Sequence, residues 1–304
     1  LQGMPVAVSA HADVLRFPDF AHNCAEVNDI LKYAGEHVES GKLVNVIDKK
    51  CADGFKHETE LVALLKNAVE NDGFDVYYQP IYNLEKEKYT SAEALIRLSD
   101  TGSFGQVSPD EFIPVAEKNG LITDIGNIVL KKVCRFISGN RINELGIDYV
   151  EVNLSGVQIV NSSLPDDIMA VLNEHNVPSH FLNFEMAETA ETSNHMAVNI
   201  HRIRSGGSGF SLEDFGKVGS GLSKITDNGF DIIKLDKSLV QPCLDRENKK
   251  AGIILESLIG MIRQLGIEIA AEGVETEEMA NELISDGVNY LQGYYYSRPL
   301  SEGK

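Results

Sequence analysis

Runs that read as strands alternate with runs that read as helices, and this alternation constrains the chain more than any other feature. From Glu58, the residues Leu61, Leu64, Leu65, Ala68 and Val69 recur at the spacing of one apolar helical face. Eight apolar or β-branched runs follow, with Gly, Pro, Asn or Asp at their edges. They end near Ile81, Arg97, Ser155, Met186, Asp214, Asp236, Glu272 and Gly293. Helical stretches separate most of them: Pro109 to Lys118 with Thr123 to Ile137, Asp166 to Glu174, Thr192 to Arg204, Gly221 to Asp227, Lys249 to Gln264, and Glu277 to Ser285. Such alternation implies parallel βαβ units, and eight strands imply a closed barrel wrapped in helices. One link departs from the scheme. Only Asn83 to Lys88 joins the first two strands, whereas a parallel crossover needs a dozen or more residues. The first pair is therefore expected to be antiparallel. The fold class is α/β, a modified (β/α)8 TIM-type barrel whose leading helix covers the face left bare.

Before residue 55 the pattern is different. Val6 to Ser9 and Lys42 to Ile47 read as strands around a helix at Asn23 to His37. About fifty residues are too few for a comfortable core of their own. Residues 1–55 are accordingly expected to be the C-terminal remnant of a small α/β domain, and residues 56–304 the barrel.

The strand ends carry the chemistry. They hold Gln79, Glu93, Asn153, Glu185, Glu213 with Asp214, Lys234 with Asp236, Glu272 and Gln292. In parallel barrels, reactive groups gather where the βα loops begin. Taken singly, each acid reads more readily as a helix cap or a solvated loop charge. As a set they would meet at one mouth, where desolvated carboxylates repel unless a cation or shared proton compensates them. An all-oxygen set without Cys or His favours a hard ion, Mg²⁺ or Mn²⁺, over zinc. The formal net charge of −19 argues against a nucleic-acid polymer as partner. No apolar run approaches the roughly 18 residues of a membrane span. The four widely spaced cysteines read as reduced thiols of a cytoplasmic protein. Glycines crowd Gly206 to Gly221 without forming a GxxxxGK[ST] loop, and the histidines form no HExxH pair.

The ordered motifs resemble the EAL domain family. They are Tyr78-Gln79-Pro80-Ile81, Glu93-Ala94-Leu95-Ile96-Arg97, Phe112 to Glu117, Val152-Asn153-Leu154-Ser155, Glu185-Met186-Ala187-Glu188, Glu213-Asp214-Phe215-Gly216, Lys234-Leu235-Asp236, Ala271 to Thr276, and Gln292-Gly293-Tyr294. Ala7 to Asp48 resembles the C-terminal end of a GGDEF domain, without the stretch that would carry that signature. The resemblance implies a bacterial signalling phosphodiesterase that hydrolyses cyclic di-GMP to pGpG with two divalent cations, Mg²⁺ or Mn²⁺. It places Glu93, Asn153, Glu185 and Glu213 on one cation, and Glu213, Asp214 and Glu272 on the other. It further implies that Lys234 positions water or stabilises charge, that Gln292 bonds within the cluster, that Gln79 and Gln292 contact the substrate, and that Arg97 grips a phosphate. Asp236 and Glu275 would lie near the dinucleotide, and Glu188 would support the loop after Asp214. A homodimer, with a GGDEF or sensor domain upstream, is also implied.

Two positions depart from the family pattern. Its usual Asp-Asp is Glu213-Asp214 here, and its Gly-Thr-Gly-Tyr-Ser loop reads Gly216-Lys217-Val218-Gly219-Ser220. A shift of about 1 Å in a bridging carboxylate can cost on the order of 100-fold in rate. The alternative reading is therefore a catalytically impaired domain that acts as a cyclic di-GMP receptor or as a dimerising regulatory module. Tyr294-Tyr295-Tyr296 reads as barrel packing, with guanine stacking as the other possibility.

Overall fold

The computed structural model describes residues 11–37, 43–190, 193–217, 224–225, 229–244 and 248–303. The expected strand at Val6 to Ser9, residues Val218, Gly219 and Ser220, and most of the expected helix at Gly221 to Asp227 lie outside them. The chain divides into two compact units, 1–67 and 68–304.

In the first unit, strand β1 (Ala12–Val14) pairs in parallel with β2 (Val44–Val46), joined through helix α1 (Cys24–Glu36). Asn23 caps α1 by accepting from the Glu26 amide at 3.0 Å, while the Glu26 carboxylate accepts from the His22 amide at 2.7 Å. Ala21, Ile30, Ala34 and Ile47 form a small buried core. The β1 strand has too few apolar residues to signal itself in the sequence. Helix α2 (Lys49–Glu70) is continuous, so the expected boundary at residue 55 and the observed division between units both fall inside it.

The second unit begins with an antiparallel pair, β3 (Phe74–Asn83) and β4 (Lys88–Leu98), as the short link requires. From β4 the strands run parallel through β5 (Tyr149–Leu154), β6 (Leu182–Ala187), β7 (Gly209–Phe215), β8 (Ile232–Leu235), β9 (Glu268–Ala271) and β10 (Tyr290–Leu291). Antiparallel pairing of β10 with β3 closes the eight-stranded barrel. A further short strand, β11 (Leu300–Ser301), adds to β3 at Tyr77 and Tyr78.

Period-two alternation divides the strand residues between two environments. Val150, Val152, Leu182, Phe184, Met186, Phe210 and Leu212 join the large core beneath the helices. Helix α4 (Ile122–Asn140) contributes Ile122, Ile125, Val129, Leu130, Val133, Cys134 and Ile137 as one buried stripe; α3 (Pro109–Lys118) precedes it. The alternate residues Glu151, Asn183, Glu185 and Ser211 face the barrel interior and are buried there. Ile81, Ile232, Ala270 and Tyr290, with Tyr149 against them, form a compact apolar plug. Polar groups are therefore confined to the rest of the lumen.

One glycine is needed for close approach. A Cβ on Gly293 would lie 2.1 Å from the Val274 carbonyl oxygen and 2.3 Å from its nitrogen. This contact binds the segment carrying Gln292 to the one following Glu272, where the Val274 amide donates to the Gln292 carbonyl at 3.0 Å. Among the described residues, no helix is long and apolar enough to cross a membrane.

Candidate metal centre

Strands β4 to β10 each deliver a side chain to a common cluster, and Gln79 of β3 stands beside it. Glu93 of β4 lies opposite Gln79 of β3, and Asn153 of β5 lies beside Glu185 of β6. Glu213 stands on β7 and Lys234 on β8, while Glu272 and Gln292 directly follow β9 and β10. Glu93, Glu185 and Glu213 each place a carboxylate oxygen within 4.8 Å of the other two. Carboxylates gathered this closely could hold one hard cation between them.

Lys234 is the hub. Its side chain is fully buried, and its Nζ lies 2.5 Å from Glu185, 2.8 Å from Glu272, 3.1 Å from Glu93 and 3.3 Å from Glu151. Glu93 also accepts from Asn153 Nδ2 at 3.1 Å and from Gln292 Nε2 at 2.7 Å. Burial disfavours the Glu93 anion, but Lys234 and these amide donors outweigh it and hold the carboxyl below its usual value. Glu185 and Glu213 go the other way. Burial, with Glu151 beside the first and Glu93 beside the second, lifts both well above the carboxylate range. Burial raises Glu272 as well, against the pull of Lys234. Desolvation opposes the Lys234 charge, yet the surrounding glutamates raise its pKa well above the ordinary lysine value.

The cluster is thus short of positive charge: four carboxylates share one ammonium, and Glu185 Oε2 and Gln292 Oε1 are buried without hydrogen-bond partners. Buried anions in excess take up protons or cations. The residues therefore fit a divalent ion, and the all-oxygen donor set suits a hard one.

A bulge shapes the β7 side. The β7–β8 register shifts between Leu212 and Phe215, and Asp214 adopts φ = 58°. This left-handed conformation is uncommon for a residue with a side chain. Asp214 does not belong to the 4.8 Å trio, and its Oδ2 accepts from Lys217 Nζ at 3.0 Å. Glu188 stands behind the bulge. Its Oε2 accepts from the Gly216 amide at 3.0 Å, its own amide donates to the Glu213 carbonyl at 3.0 Å, and Lys224 Nζ donates to its carbonyl.

Above the cluster opens a cavity of about 430 Å³, lined by Gln79, Glu93, Glu213, Asp236, Glu272, Glu275, Gln292 and Tyr294, among others. Gln79 Nε2 donates to the Ser297 carbonyl at 3.1 Å. Asp236 caps the short helix α5 (Lys237–Val240) by accepting from the Ser238 amide at 2.8 Å. Burial works against the Asp236 anion, but the Ser238 bonds prevail and its pKa is lowered. Arg97 is placed apart from the cavity lining: its Nη1 donates to the Ile96 carbonyl at 2.7 Å, and the guanidinium lies 5.9 Å from the Tyr77 ring centre. Tyr296 stacks on Tyr82, whereas Tyr294 reaches the cavity under the Arg298 guanidinium.

Sequence reasoning missed a second polar tier beneath the cluster. Glu151, Asn183 and Ser211 sit two residues before Asn153, Glu185 and Glu213 on the same strand faces. Asn183 Nδ2 donates to Glu151 at 3.2 Å and to Ser211 Oγ at 2.6 Å. Period-two parity with the strand-end residues was the available signal.

Residues 63–299 match the family model described as EAL domain. The chain is 35% identical over 241 residues to the signaling protein YkoW of Bacillus subtilis, covering 78% of this chain and 29% of that protein. It is 32% identical to the probable cyclic di-GMP phosphodiesterase PdeB of Escherichia coli, covering 78% of this chain and 44% of PdeB. The chain therefore spans less than half the length of either curated relative. The structure of EAL enzyme Bd1971 in its cAMP- and cyclic-di-GMP-bound form superposes with a TM-score of 0.75 at 27% identity, over 83% of this chain and 68% of that one. With strand-end motifs, barrel topology and family model in agreement from residue 63 to 299, this chain belongs to the EAL domain family.

Proposed function

We propose that the barrel is a metal-dependent phosphodiesterase that hydrolyses cyclic di-GMP to pGpG. The observation that carries this reading is the trio of Glu93, Glu185 and Glu213 at the foot of an open cavity, in a family whose members include PdeB and the cyclic-di-GMP-bound Bd1971. In it, Glu93, Asn153, Glu185 and Glu213 hold one cation, and Glu213, Asp214 and Glu272 hold a second; the ion is Mg²⁺ or Mn²⁺. Bound there, two cations would polarise the phosphodiester, lower the pKa of the attacking water and stabilise the leaving alkoxide. Lys234 keeps the carboxylates convergent and offers an ammonium to developing charge. Gln79 and Gln292 fix the polar wall, Asp236 and Glu275 face the dinucleotide, and Arg97 grips a phosphate from outside the lined cavity. Glu188 is a positioning residue that holds the turn after Asp214 through Gly216. The reading extends to a cytoplasmic homodimer with a GGDEF or sensor domain upstream.

Two features favour a second reading. Asp214 is engaged by Lys217, at a loop position where the family pattern has threonine, and Glu213 carries one methylene more than the family aspartate. Both features favour a receptor that binds cyclic di-GMP without turning it over. Incubation with cyclic di-GMP and Mg²⁺ or Mn²⁺, followed by chromatography for pGpG, separates the two. Product supports the phosphodiesterase. Calorimetric binding without product supports the receptor.

A further inference from the structure

Lys234 has four carboxylate neighbours, and three of them, Glu93, Glu185 and Glu272, belong to the proposed metal set. The fourth does not. Glu151 lies inside β5, two residues before Asn153, and is 1% exposed. One of its oxygens is held by Asn183 Nδ2 at 3.2 Å, and Asn183 is braced in turn against Ser211 Oγ at 2.6 Å. The other is 3.3 Å from Lys234 Nζ, with the Glu185 carboxyl beside it. Glu151 is thus fixed from below and directed at the ammonium.

A cation that draws Glu93, Glu185 and Glu272 into its own coordination would deprive Lys234 of three counter-charges. The ammonium has no exposed surface through which water could replace them. A buried charge left unpaired is strongly unfavourable, so the lysine needs a partner that the metal does not claim. We propose that Glu151 is the reserved counter-ion of Lys234, a positioning residue that keeps the ammonium in place while the other carboxylates serve the metal. This rests on the reading of the cluster as a metal centre.

The test is Mn²⁺ titration calorimetry on the whole chain as wild type, E151Q, E151D, K234M and the double variant E151Q/K234M, with thermal unfolding of each. Outer carboxylates that support a metal site typically contribute about 10–100-fold in affinity, and E151Q should weaken Mn²⁺ binding by that amount. E151D, which keeps the charge, should recover most of the loss. In the K234M background the same Glu-to-Gln change should alter affinity less than about threefold, because no ammonium remains to be paired. An equal loss in both backgrounds, or no loss in either, overturns the proposal. If E151Q alone does not fold, a folded double variant supports the pairing, and an unfolded one assigns Glu151 a structural role and overturns it. A wild type that takes up no Mn²⁺ removes the metal reading itself, and this inference with it.

Discussion

Replacing Lys234 with methionine isolates the contribution of the buried ammonium. The side chain keeps its unbranched shape, one atom shorter, and loses its charge, so Glu93, Glu151, Glu185 and Glu272 lose a cation 2.5–3.3 Å away. Breaking a buried ion pair from one side costs about 3–5 kcal/mol. For a unit of this size each kcal/mol moves Tm by about 2–4 °C, so the metal-free variant should melt roughly 6–20 °C lower at about pH 8. The deficit should shrink in acid. Burial, followed by neighbouring carboxylates, already holds Glu185 and Glu213 well above their usual values. A carboxyl raised in the folded state contributes stability in full below its unfolded pKa and loses it as pH rises through the folded value. Removing the ammonium raises these groups further, so they hold more protons at about pH 5.5 than at about pH 8 and repel less. Calorimetric melts in EDTA at both pH values measure the difference. Mn²⁺ should then restore Tm at the higher pH, since a ligand of the native state stabilises it by mass action. An equal fall at the two pH values would refute the electrostatic account and leave Lys234 a packing role.

Shortening Glu213 to aspartate should raise the rate of pGpG formation by roughly tenfold or more if the extra methylene misplaces a bridging oxygen; an unchanged kcat rejects that explanation. Lys217→Ala should free Asp214 from its 3.0 Å ion pair and tighten Mn²⁺ binding by up to about fivefold, the range expected for a largely exposed pair. Calorimetry checks this, and a weakened isotherm would count against competition by the lysine. Gly293→Ala should destabilise the barrel by more than about 3 kcal/mol in urea unfolding, because the new methyl meets Val274 backbone at 2.1 Å and nothing flexible can give way.

Much of the site was legible because strand ends in a parallel barrel have a fixed meaning. The short Asn83 to Lys88 link was enough to predict the reversed pairing of β3 and β4, since chain length alone forbids a crossover there. Glu93, Glu185, Glu213, Lys234, Glu272 and Gln292 stood out by position, and the structure brings them together. Glu151 does not stand out by position because it is not the last polar residue of its run, although its parity with Asn153 places both on one face. The split between Glu213 and Asp214 depends on a backbone bulge at φ = 58°, which no residue type at that position announces. Arg97 follows Glu93 on the same strand face but turns to Ile96 and Tyr77, a choice made by local hydrogen bonding. The expected last strand from Val288 to Gly293 contracts to Tyr290–Leu291, because Gln292 and Gly293 are drawn into the turn against Val274.

The reversal of β3 also decides where the polypeptide joins the barrel. In a uniformly parallel barrel the opening strand would start at the base, away from the reactive rim. Here Phe74 pairs with Leu98, and the Ser99 amide donates to the Gly73 carbonyl at 3.0 Å, so the incoming chain is anchored beside the outlet of β4. Glu93 lies only five residues before that anchor. A pull or twist travelling along the backbone into β3 would therefore reach the strand that carries Glu93 before it reached the floor of the barrel.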